Sequence, residues 1–312
     1  MSNQPVRRPV VAGAGAMGVT LARLFAQQGY EVALWNRRES SLERAWDEIT
    51  QALASLEGQG RLFEPLDTIL GRLTFTTESA IYESADFVVE NIAEDLDVKH
   101  TFFRTISALV PEDALLTTNT SGLRVTDIAQ AVKHPERFCG MHWWNPPDLI
   151  PLVEVTKGEA SSQETAQRVY DLALSLGKKP VIVDKDILGI LGNRLQYAVL
   201  REALHILELG AATPEAIDAA MKYGPGFRYP ILGPLEAVDL GGLHIFRTVS
   251  DYLFADLGKE EKSPLLARLA DEGRKGVTTG SGIYQYAPGQ GEEKLRWRND
   301  LFQKELDLLK DV

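Results

Sequence analysis

The amino-acid sequence predicts an α/β fold, a doubly wound sheet with an inserted helical hairpin, followed by an all-α C-terminal domain. Short apolar strands alternate with amphipathic helices over the first half of the chain. A glycine-rich turn joins the first strand to the first helix. Beyond Asp184 the pattern becomes helical, beginning with a long stretch from Leu188 to Gly210. We therefore place the domain boundary near residue 185, between segments 1–185 and 186–312.

The first strand and the turn after it predict the class of ligand. Pro9–Ala12 has the apolar character of a short buried strand, and G-x-G-x-x-G follows at once. A helix with an apolar face comes next, and Tyr30–Trp35 is the second strand. This context is typical of a Rossmann-type dinucleotide-binding domain. A glycine-rich turn without a ligand is the alternative.

Each glycine of this motif has its own expected role. Gly13 makes the turn, and Gly15 lets the backbone approach a pyrophosphate at the helix N-terminus. Gly18 permits close packing of the helix on the strand. We expect these glycines, with Met17 between them, to contact a dinucleotide.

The residues after the second strand bear on the choice of cofactor. An NAD enzyme usually has an acidic residue here, which binds the ribose 2′-hydroxyl. This chain has Asn36, Arg37 and Arg38 instead. An arginine suits a 2′-phosphate through charge-assisted hydrogen bonds, so we favour NADP over NAD and expect Asn36 and Arg37 to bind it. A solvated loop is the alternative.

The remaining elements of the first domain keep the alternation of strand and helix. A long amphipathic helix from Ser41 and a shorter one near Leu66 form the helical hairpin, separated by Gly58 and Gly60. Apolar stripes predict helices over 98–109, 125–132 and 166–173. The further strands are expected at Phe87–Asn91, Leu115–Thr118, 138–142, 152–155 and 180–183. Further helices are expected near 214, 234–240, 244–257 and 264–273.

Three polar residues mark the expected site. Ser121 and His142 lie just past or at the ends of strands, where ligands of doubly wound sheets bind. Glu154 lies in an apolar strand, where a carboxylate without a partner is costly. A histidine partner would be oriented by it and made more basic. We expect His142 and Glu154 to touch across neighbouring strands; a core histidine and a solvent-facing glutamate are the alternatives.

Composition excludes several classes of protein. A net charge of −11 argues against nucleic acid and anionic membranes as partners. No apolar run approaches the roughly 20 residues of a membrane span, and the N-terminus lacks the apolar region of a secretory signal. The single cysteine, Cys139, fits a reducing compartment, so we expect a cytoplasmic protein. The five histidines show no metal-ligand spacing, so no metal is expected.

Seven blocks of sequence resemble the L-3-hydroxyacyl-CoA dehydrogenase family, in order and over nearly the whole chain. They are GAGAMG, VVENIAEDLDVK, TNTSGL, RFCGMHWWNPPDLIPLVEV, GILGNR, GPLEAVDLGGL and KGVTTGSGIYQY. The resemblance implies a Rossmann domain, a helical C-terminal domain used for homodimerisation, and a cleft between them. It also implies a nicotinamide cofactor and oxidation of a secondary hydroxyl to a ketone.

The resemblance also implies roles for matched residues. His142 would be the general base for the hydroxyl proton, and Glu154 its partner. Ser121 and Asn193 would hydrogen-bond the reacting oxygen and position the substrate. The residues expected on the nicotinamide-ribose side of the cofactor are Glu94 and Lys99, and Asn119 is also expected to bind the cofactor.

Three departures from the family pattern concern the substrate. Arg228 and Tyr229 replace part of the usual Pro-Met-Gly-Pro context and resemble the branch acting on free hydroxy acids, such as gulonate and carnitine dehydrogenases. Arg228 could bind a substrate carboxylate; a surface or interface ion pair is the alternative. The hairpin is acidic, which disfavours coenzyme A. Trp143-Trp144 replaces smaller aromatics, which would narrow a substrate pocket; filling of the core is the alternative.

The sequence thus favours an NAD(P)-dependent oxidoreductase acting on a 3-hydroxy acid with a free carboxylate. A 3-hydroxyacyl-CoA, such as 3-hydroxybutyryl-CoA, is the alternative substrate. A cofactor-binding structural protein without catalysis is the alternative of another class. A Ser-His-Glu hydrolase is disfavoured because no G-x-S-x-G elbow surrounds Ser121.

Overall fold

A computed structural model describes residues 5–309. The chain forms two compact units, of which the first ends at Asn193 and the second begins at Arg194. They are called here the N-terminal unit and the C-terminal unit. The predicted domain boundary near residue 185 stays a prediction.

The N-terminal unit is built on one eight-stranded sheet. Its strands are β1 (Pro9–Ala12), β2 (Val32–Trp35), β3 (Leu73–Thr76), β4 (Phe87–Glu90), β5 (Leu115–Thr118), β6 (Phe138–Trp143), β7 (Leu152–Thr156) and β8 (Lys179–Val183). The order across the sheet is β3-β2-β1-β4-β5-β6-β7-β8. Every neighbouring pair is parallel except β6 and β7, which are antiparallel.

Helices cover both faces of this sheet. They are α1 (Ala16–Gln27), α2 (Glu39–Gly58), α3 (Leu66–Leu70), α4 (Leu96–Leu109), α5 (Val125–Ala129) and α6 (Gln163–Ser175), with 3₁₀ turns at Ser79–Ser84 and Pro135–Arg137. Successive strand residues point to opposite faces, so Val10 and Val11 belong to different apolar clusters. Helices α1, α2 and α6 supply one cluster, and α4 and α5 supply the other. This arrangement confirms the predicted doubly wound fold with its helical hairpin.

Strand β3 was not predicted from the sequence. It follows α3, pairs with β2 only, and its residues are half-buried or exposed. An edge strand packs one face at most, so its sequence, Leu-Thr-Phe-Thr, lacks the continuous apolar run of the central strands. The pattern that revealed β1 and β4 is therefore absent here.

The C-terminal unit is helical, as predicted. Its helices are α7 (Gly192–Glu208), α8 (Pro214–Tyr223), α9 (Pro225–Arg228), α10 (Pro234–Gly241), α11 (Leu243–Asp256), α12 (Pro264–Asp271) and α13 (Gln290–Leu308), with a 3₁₀ turn at Val277–Thr279. Thr213 caps α8 by accepting a hydrogen bond from the Ala216 amide at 3.3 Å, and Pro214 occupies the first turn. Within residues 5–309, no helix combines the length and apolar character that crossing a bilayer requires.

Candidate active site

The glycine turn between β1 and α1 leaves no room for side chains at two positions. Gly13 has φ +108°, and a Cβ there would lie 2.5 Å from the Asn91 carbonyl oxygen. A Cβ at Gly18 would lie 1.8 Å from the Gly13 carbonyl oxygen. These contacts hold the start of α1 against the ends of β1 and β4, so only glycine fits either position.

Gly15 is different, because nothing lies within 4 Å of where its Cβ would be. It is the N-cap of α1 and no side chain caps this helix end. The first amide groups of α1 therefore face open space without a side-chain acceptor, while Met17 lies half-buried beside them. An exposed helix N-terminus next to a close backbone approach fits a dinucleotide pyrophosphate.

The segment after β2 carries two exposed arginines. The Asn36 amide donates to the Thr76 carbonyl at 3.2 Å, and its side chain donates to the Arg38 carbonyl at 3.2 Å. In the described part of the chain, the guanidinium groups of Arg37 and Arg38 have no ion pair. Both cations are therefore available to an anionic group near the end of β2.

A buried ion cluster lies at the ends of β4 and β5. The Lys99 ammonium is 2.6 Å from Glu90 Oε1 and 3.3 Å from Glu94 Oε2, and it is 1% exposed. Glu90 also accepts hydrogen bonds from the Ile92 amide and the Thr118 hydroxyl. Glu90 is thus fully paired within the protein, so it stabilises the strand ends rather than reacting.

Glu94 joins this cluster to the loop that carries Ser121. Its Oε1 accepts hydrogen bonds from the Thr120 hydroxyl and from the Ser121 and Gly122 amides. Burial opposes ionisation, but the Thr120 hydroxyl, Lys99 and the Gly122 amide outweigh it and lower the pKa of Glu94. Glu94 and Lys99 therefore shape the loop after β5, next to the predicted reacting oxygen site.

The side chain of Asn119 forms hydrogen bonds that link the ends of three strands. Its side-chain amide donates to Asn91 Oδ1 at 2.7 Å, and its own Oδ1 accepts the Trp143 amide at 2.7 Å. Asn91 follows β4, Asn119 follows β5, and Trp143 ends β6. Only one amide hydrogen of Asn119 remains for a cofactor, so its main observed role is to align the strand ends.

His142 and Glu154 face each other on the antiparallel strands β6 and β7. The two residues are direct partners in the strand register. His142 Nδ1 lies 2.8 Å from Glu154 Oε2, and the glutamate is completely buried. The predicted contact across neighbouring strands is therefore confirmed, and the burial of Glu154 excludes the solvent-facing glutamate. The catalytic roles remain predictions.

Glu154 receives four hydrogen bonds. Besides His142, the Trp144 indole donates to Oε2 at 3.0 Å, and the Leu191 and Gly192 amides donate to Oε1 at 3.0 and 2.8 Å. Burial alone would raise the pKa of Glu154, but these hydrogen bonds outweigh it and lower the pKa. Glu154 is therefore a carboxylate at neutral pH, despite its burial.

This carboxylate fixes the tautomer of a neutral His142. Glu154 can only accept at Oε2, so Nδ1 of the imidazole must carry hydrogen and Nε2 must be the lone-pair nitrogen. Among the described residues, Nε2 has no hydrogen-bond partner. The ring is 5% exposed. It is thus an oriented base with one nitrogen available.

Ser121 and Asn193 lie near each other. The Asn193 side-chain amide donates to the Ser121 carbonyl at 3.4 Å, a long hydrogen bond. The Ser121 side chain is exposed, and its hydroxyl has no partner in the described residues. The two side chains therefore retain donors for a substrate oxygen.

Arg228 ends α9 in the C-terminal unit. Its side chain is exposed, and its guanidinium forms no ion pair within residues 5–309. Within the described residues, Arg228 therefore forms no surface ion pair, which was an alternative to carboxylate binding. No cluster of three or more metal-ligating side chains occurs among the described residues.

Sequence reasoning missed three contributors to this site. Trp144 was read as pocket-narrowing or core, and Leu191 and Gly192 were read as part of a long helix. Helix α7 begins only at Gly192, because the preceding turn, with Ile190 at φ +54°, aims two amides at Glu154. The signal available was the Gly189-Ile190-Leu191-Gly192 block, whose two glycines are poor helix formers.

Comparison with known proteins identifies relatives over most of the chain. Residues 9–187 match the family model for the 3-hydroxyacyl-CoA dehydrogenase NAD binding domain, and residues 189–286 match that for the C-terminal domain. A 5-formyl-3-hydroxy-2-methylpyridine 4-carboxylate 5-dehydrogenase of Mesorhizobium japonicum is 33% identical, covering 91% of this chain and 92% of its own. A probable 3-hydroxybutyryl-CoA dehydrogenase of Deinococcus radiodurans is 37% identical, covering 88% and 99%.

A solved structure resembles the whole chain. The crystal structure of a 5-formyl-3-hydroxy-2-methylpyridine 4-carboxylic acid 5-dehydrogenase, described as an NAD⁺-dependent dismutase, superimposes with a TM-score of 0.90 at 32% identity. The match covers 98% of this chain and 99% of that one.

Proposed function

Because the chain belongs to the 3-hydroxyacyl-CoA dehydrogenase family of NAD-dependent oxidoreductases acting on CH–OH groups, we propose that it oxidises the hydroxyl of a small 3-hydroxy acid. The observation that carries the proposal is the buried His142–Glu154 pair, with Nε2 of the imidazole unpaired. The bound nicotinamide would supply the hydride acceptor.

In this proposal His142 Nε2 accepts the hydroxyl proton as the carbonyl forms, acting as a general base. Glu154 stabilises the imidazolium that results, because it is ionised and bonded to Nδ1. Ser121 and Asn193 donate hydrogen bonds to the reacting oxygen. In the reverse direction the imidazolium returns the proton to the carbonyl oxygen.

We propose a substrate with a free carboxylate, and that Arg228 binds it. The unpaired guanidinium of Arg228 supports this, because planar guanidinium groups bind carboxylates bidentately. The relative of Mesorhizobium japonicum supports it too, since that enzyme is named for a pyridine carboxylate. The second candidate is a 3-hydroxyacyl-CoA, favoured by the name of the Deinococcus radiodurans relative.

We propose that the enzyme accepts NADP, with Asn36 and Arg37 at the 2′-phosphate. The position directly after β2 is Asn36 rather than an acidic residue, and two arginines without an ion pair among the described residues follow it. The NAD⁺-dependent relative makes NAD the competing choice. Affinities of both cofactors for the native chain and for Arg37→Ala test this. A selective loss of NADP affinity supports the proposal, and equal losses contradict it.

We also propose a homodimer. Helices α8 to α11 have no buried residue, and several large apolar side chains on them are exposed, including Tyr223, Phe227, Leu235 and Phe254. Such a surface is typical of an interface. Sedimentation equilibrium over a range of concentrations tests it, and a monomer throughout would contradict it. We expect the enzyme to act in the cytoplasm on a small molecule, with no nucleic-acid or membrane partner.

The decisive experiment is a substrate panel assayed with both NAD and NADP. It should contain short 3-hydroxy acids, pyridine aldehyde carboxylates and the coenzyme A thioesters of matched 3-hydroxy acids. Turnover of a free acid, weakened in Arg228→Ala with thioester turnover unchanged, supports the proposal. Selective turnover of thioesters, insensitive to Arg228→Ala, would establish the second candidate instead. Lys222→Ala, which changes another exposed cation of the same unit, is the matched control.

A further inference from the structure

Trp144, the first residue after β6, contacts the carboxylate that orients His142. Its indole N–H donates to Glu154 Oε2 at 3.0 Å, and His142 Nδ1 lies 2.8 Å from the same oxygen. The two rings lie with their centroids 5.8 Å apart. Both remaining donors to Glu154 are backbone amides on the other oxygen. Among the described residues, Trp144 is therefore the one side chain that shares an oxygen of Glu154 with His142.

The indole is held in this position by close packing. A Cβ on Gly192 would lie 2.4 Å from Trp144 Cζ2, so the indole lies directly against the first residue of α7. The Gly192 amide binds the other oxygen of Glu154 at 2.8 Å. Glu154 is thus enclosed by the indole, the imidazole and the start of α7, and the indole N–H has little freedom to turn away.

A carboxylate oxygen that accepts two hydrogen bonds stabilises each donor less than it would stabilise one donor alone. The proton on an imidazolium is stabilised by the negative charge that Glu154 presents at Oε2. An indole N–H at the same oxygen offsets part of that charge. We propose that Trp144 is a positioning residue that makes His142 a weaker base by competing for Glu154 Oε2. The inference rests on the proposed role of His142.

Other charged groups near the pair have partners of their own. Asp148, in the loop after β6, pairs with Arg23 at 2.8 Å, and Lys178 binds the Pro147 carbonyl in the same loop. On the β4 and β5 side, Lys99 is paired with Glu90 and Glu94. Among the described residues, Glu154 is the one charged group bonded to His142. Loss of the indole N–H changes the charge presented at Glu154 directly.

A weaker base has a clear use in oxidation. His142 can accept the hydroxyl proton only when Nε2 is unprotonated. Competition by Trp144 enlarges the unprotonated fraction of His142 at a given pH. The enzyme would thereby keep His142 unprotonated, as oxidation requires, at a lower pH than it would without the Trp144 hydrogen bond.

The test compares Trp144→Phe with Trp143→Phe in the full-length chain. Both substitutions remove an indole N–H from adjacent residues, but the Trp143 N–H has no hydrogen-bond partner among the described residues. The titration midpoint of His142 is followed by NMR, with its resonance assigned by its loss in His142→Ala. The acid limb of kcat/KM for oxidation is measured in parallel.

We expect Trp144→Phe to raise the His142 titration midpoint and the acid limb by roughly half a pH unit, from the usual strength of one hydrogen bond. Trp143→Phe should leave both in place. An unchanged or lowered midpoint in Trp144→Phe, or equal shifts in both variants, would overturn the inference. A purely structural role for Trp144 would lower turnover without moving the limb.

The NMR readout separates this inference from the proposed function. If the midpoint rises but the acid limb does not follow it, His142 is not the base and the proposed function fails alone. If the acid limb of kcat/KM coincides with the His142 titration midpoint, but Trp144→Phe shifts neither value, the inference fails alone. Should Trp144→Phe not fold, Gly192→Ala displaces the indole from Glu154 and is expected to give the same upward shift; no shift there contradicts the inference.

Discussion

Two buried glutamates lie at strand ends of the same sheet, and they differ in the partner they have. Glu90 is paired with the ammonium of Lys99, a group that has hydrogen-bond donors but no acceptor. Glu154 is paired with the imidazole of His142, whose second ring nitrogen can accept a hydrogen bond. The first pair therefore offers no acceptor to a ligand, whereas the second leaves Nε2 unpaired among the described residues. In the proposed function this difference makes the second pair the reactive one.

The largest effect is expected from His142→Ala. Removal of a general base typically costs 10²- to 10⁴-fold in rate, so turnover should fall by about that factor. Cofactor affinity should be unchanged, because the glycine turn of α1 is not altered. Steady-state kinetics and cofactor titration measure the two quantities. Near-normal turnover would remove His142 from the proposed mechanism.

Lys99→Met should be the most destabilising change on the structural side of the comparison. It leaves Glu90 buried without its cation, and breaking a buried pair costs about 3–5 kcal/mol of unfolding free energy. Chemical denaturation measures the loss. Lys157→Met is the matched control, since its partner Asp184 is largely exposed and such pairs contribute about 1 kcal/mol at most. Equal losses in both variants would contradict the assignment.

Lys178 sharpens the comparison, because it is a buried lysine bonded to neutral groups. Its ammonium donates to the Pro147 and Ile150 carbonyls. Burial lowers its pKa from the usual 10.5 to about 8, against the opposing effect of Asp148. Between these two values the unfolded chain holds a proton that the folded protein has released, so stability rises with pH in this window.

Lys178→Met should abolish that rise. The neutral amine still has two hydrogens for the two carbonyls, so the native chain keeps its hydrogen bonds above pH 8. We expect native stability, relative to Lys178→Met, to increase by up to about 3 kcal/mol from pH 8 to 10.5. Thermal or urea unfolding across this range measures it. Parallel curves for the two proteins would show that Lys178 does not titrate in the window.

The smallest effect is expected for acid stability at Glu154. Burial opposes ionisation of Glu154, but its hydrogen bonds lower the pKa below the usual 4.5. Stability from this carboxylate is therefore complete above that value and is lost as pH falls below it. Glu154→Gln should give a shallower decline of stability as pH falls below about 4.5. An equally steep decline would place the acid sensitivity elsewhere.

The sequence revealed the His142–Glu154 contact because a carboxylate inside an apolar strand demands a partner. It could not reveal the other hydrogen-bond donors to that carboxylate, because neither an aromatic residue nor a helical pattern shows where an N–H group points. Trp144, Leu191 and Gly192 therefore appeared only in the structure. Glu90 was likewise read as part of a strand, because its ion pair with Lys99 joins residues on separate elements.

Edge strand β3 was missed for another reason. The central strands are covered on both faces, so their sequences are continuously apolar. Leu73–Thr76 packs weakly, and its hydrogen bonds to β2 are made by the backbone, which leaves no trace in composition.

Glu154 fastens the backbone amides at the beginning of α7, a helix that carries the polypeptide onward into the C-terminal unit. The carboxylate that orients the imidazole of His142 thus also holds the first turn of α7 in place. A change at the start of α7 is accordingly expected to reach the imidazole through this one carboxylate.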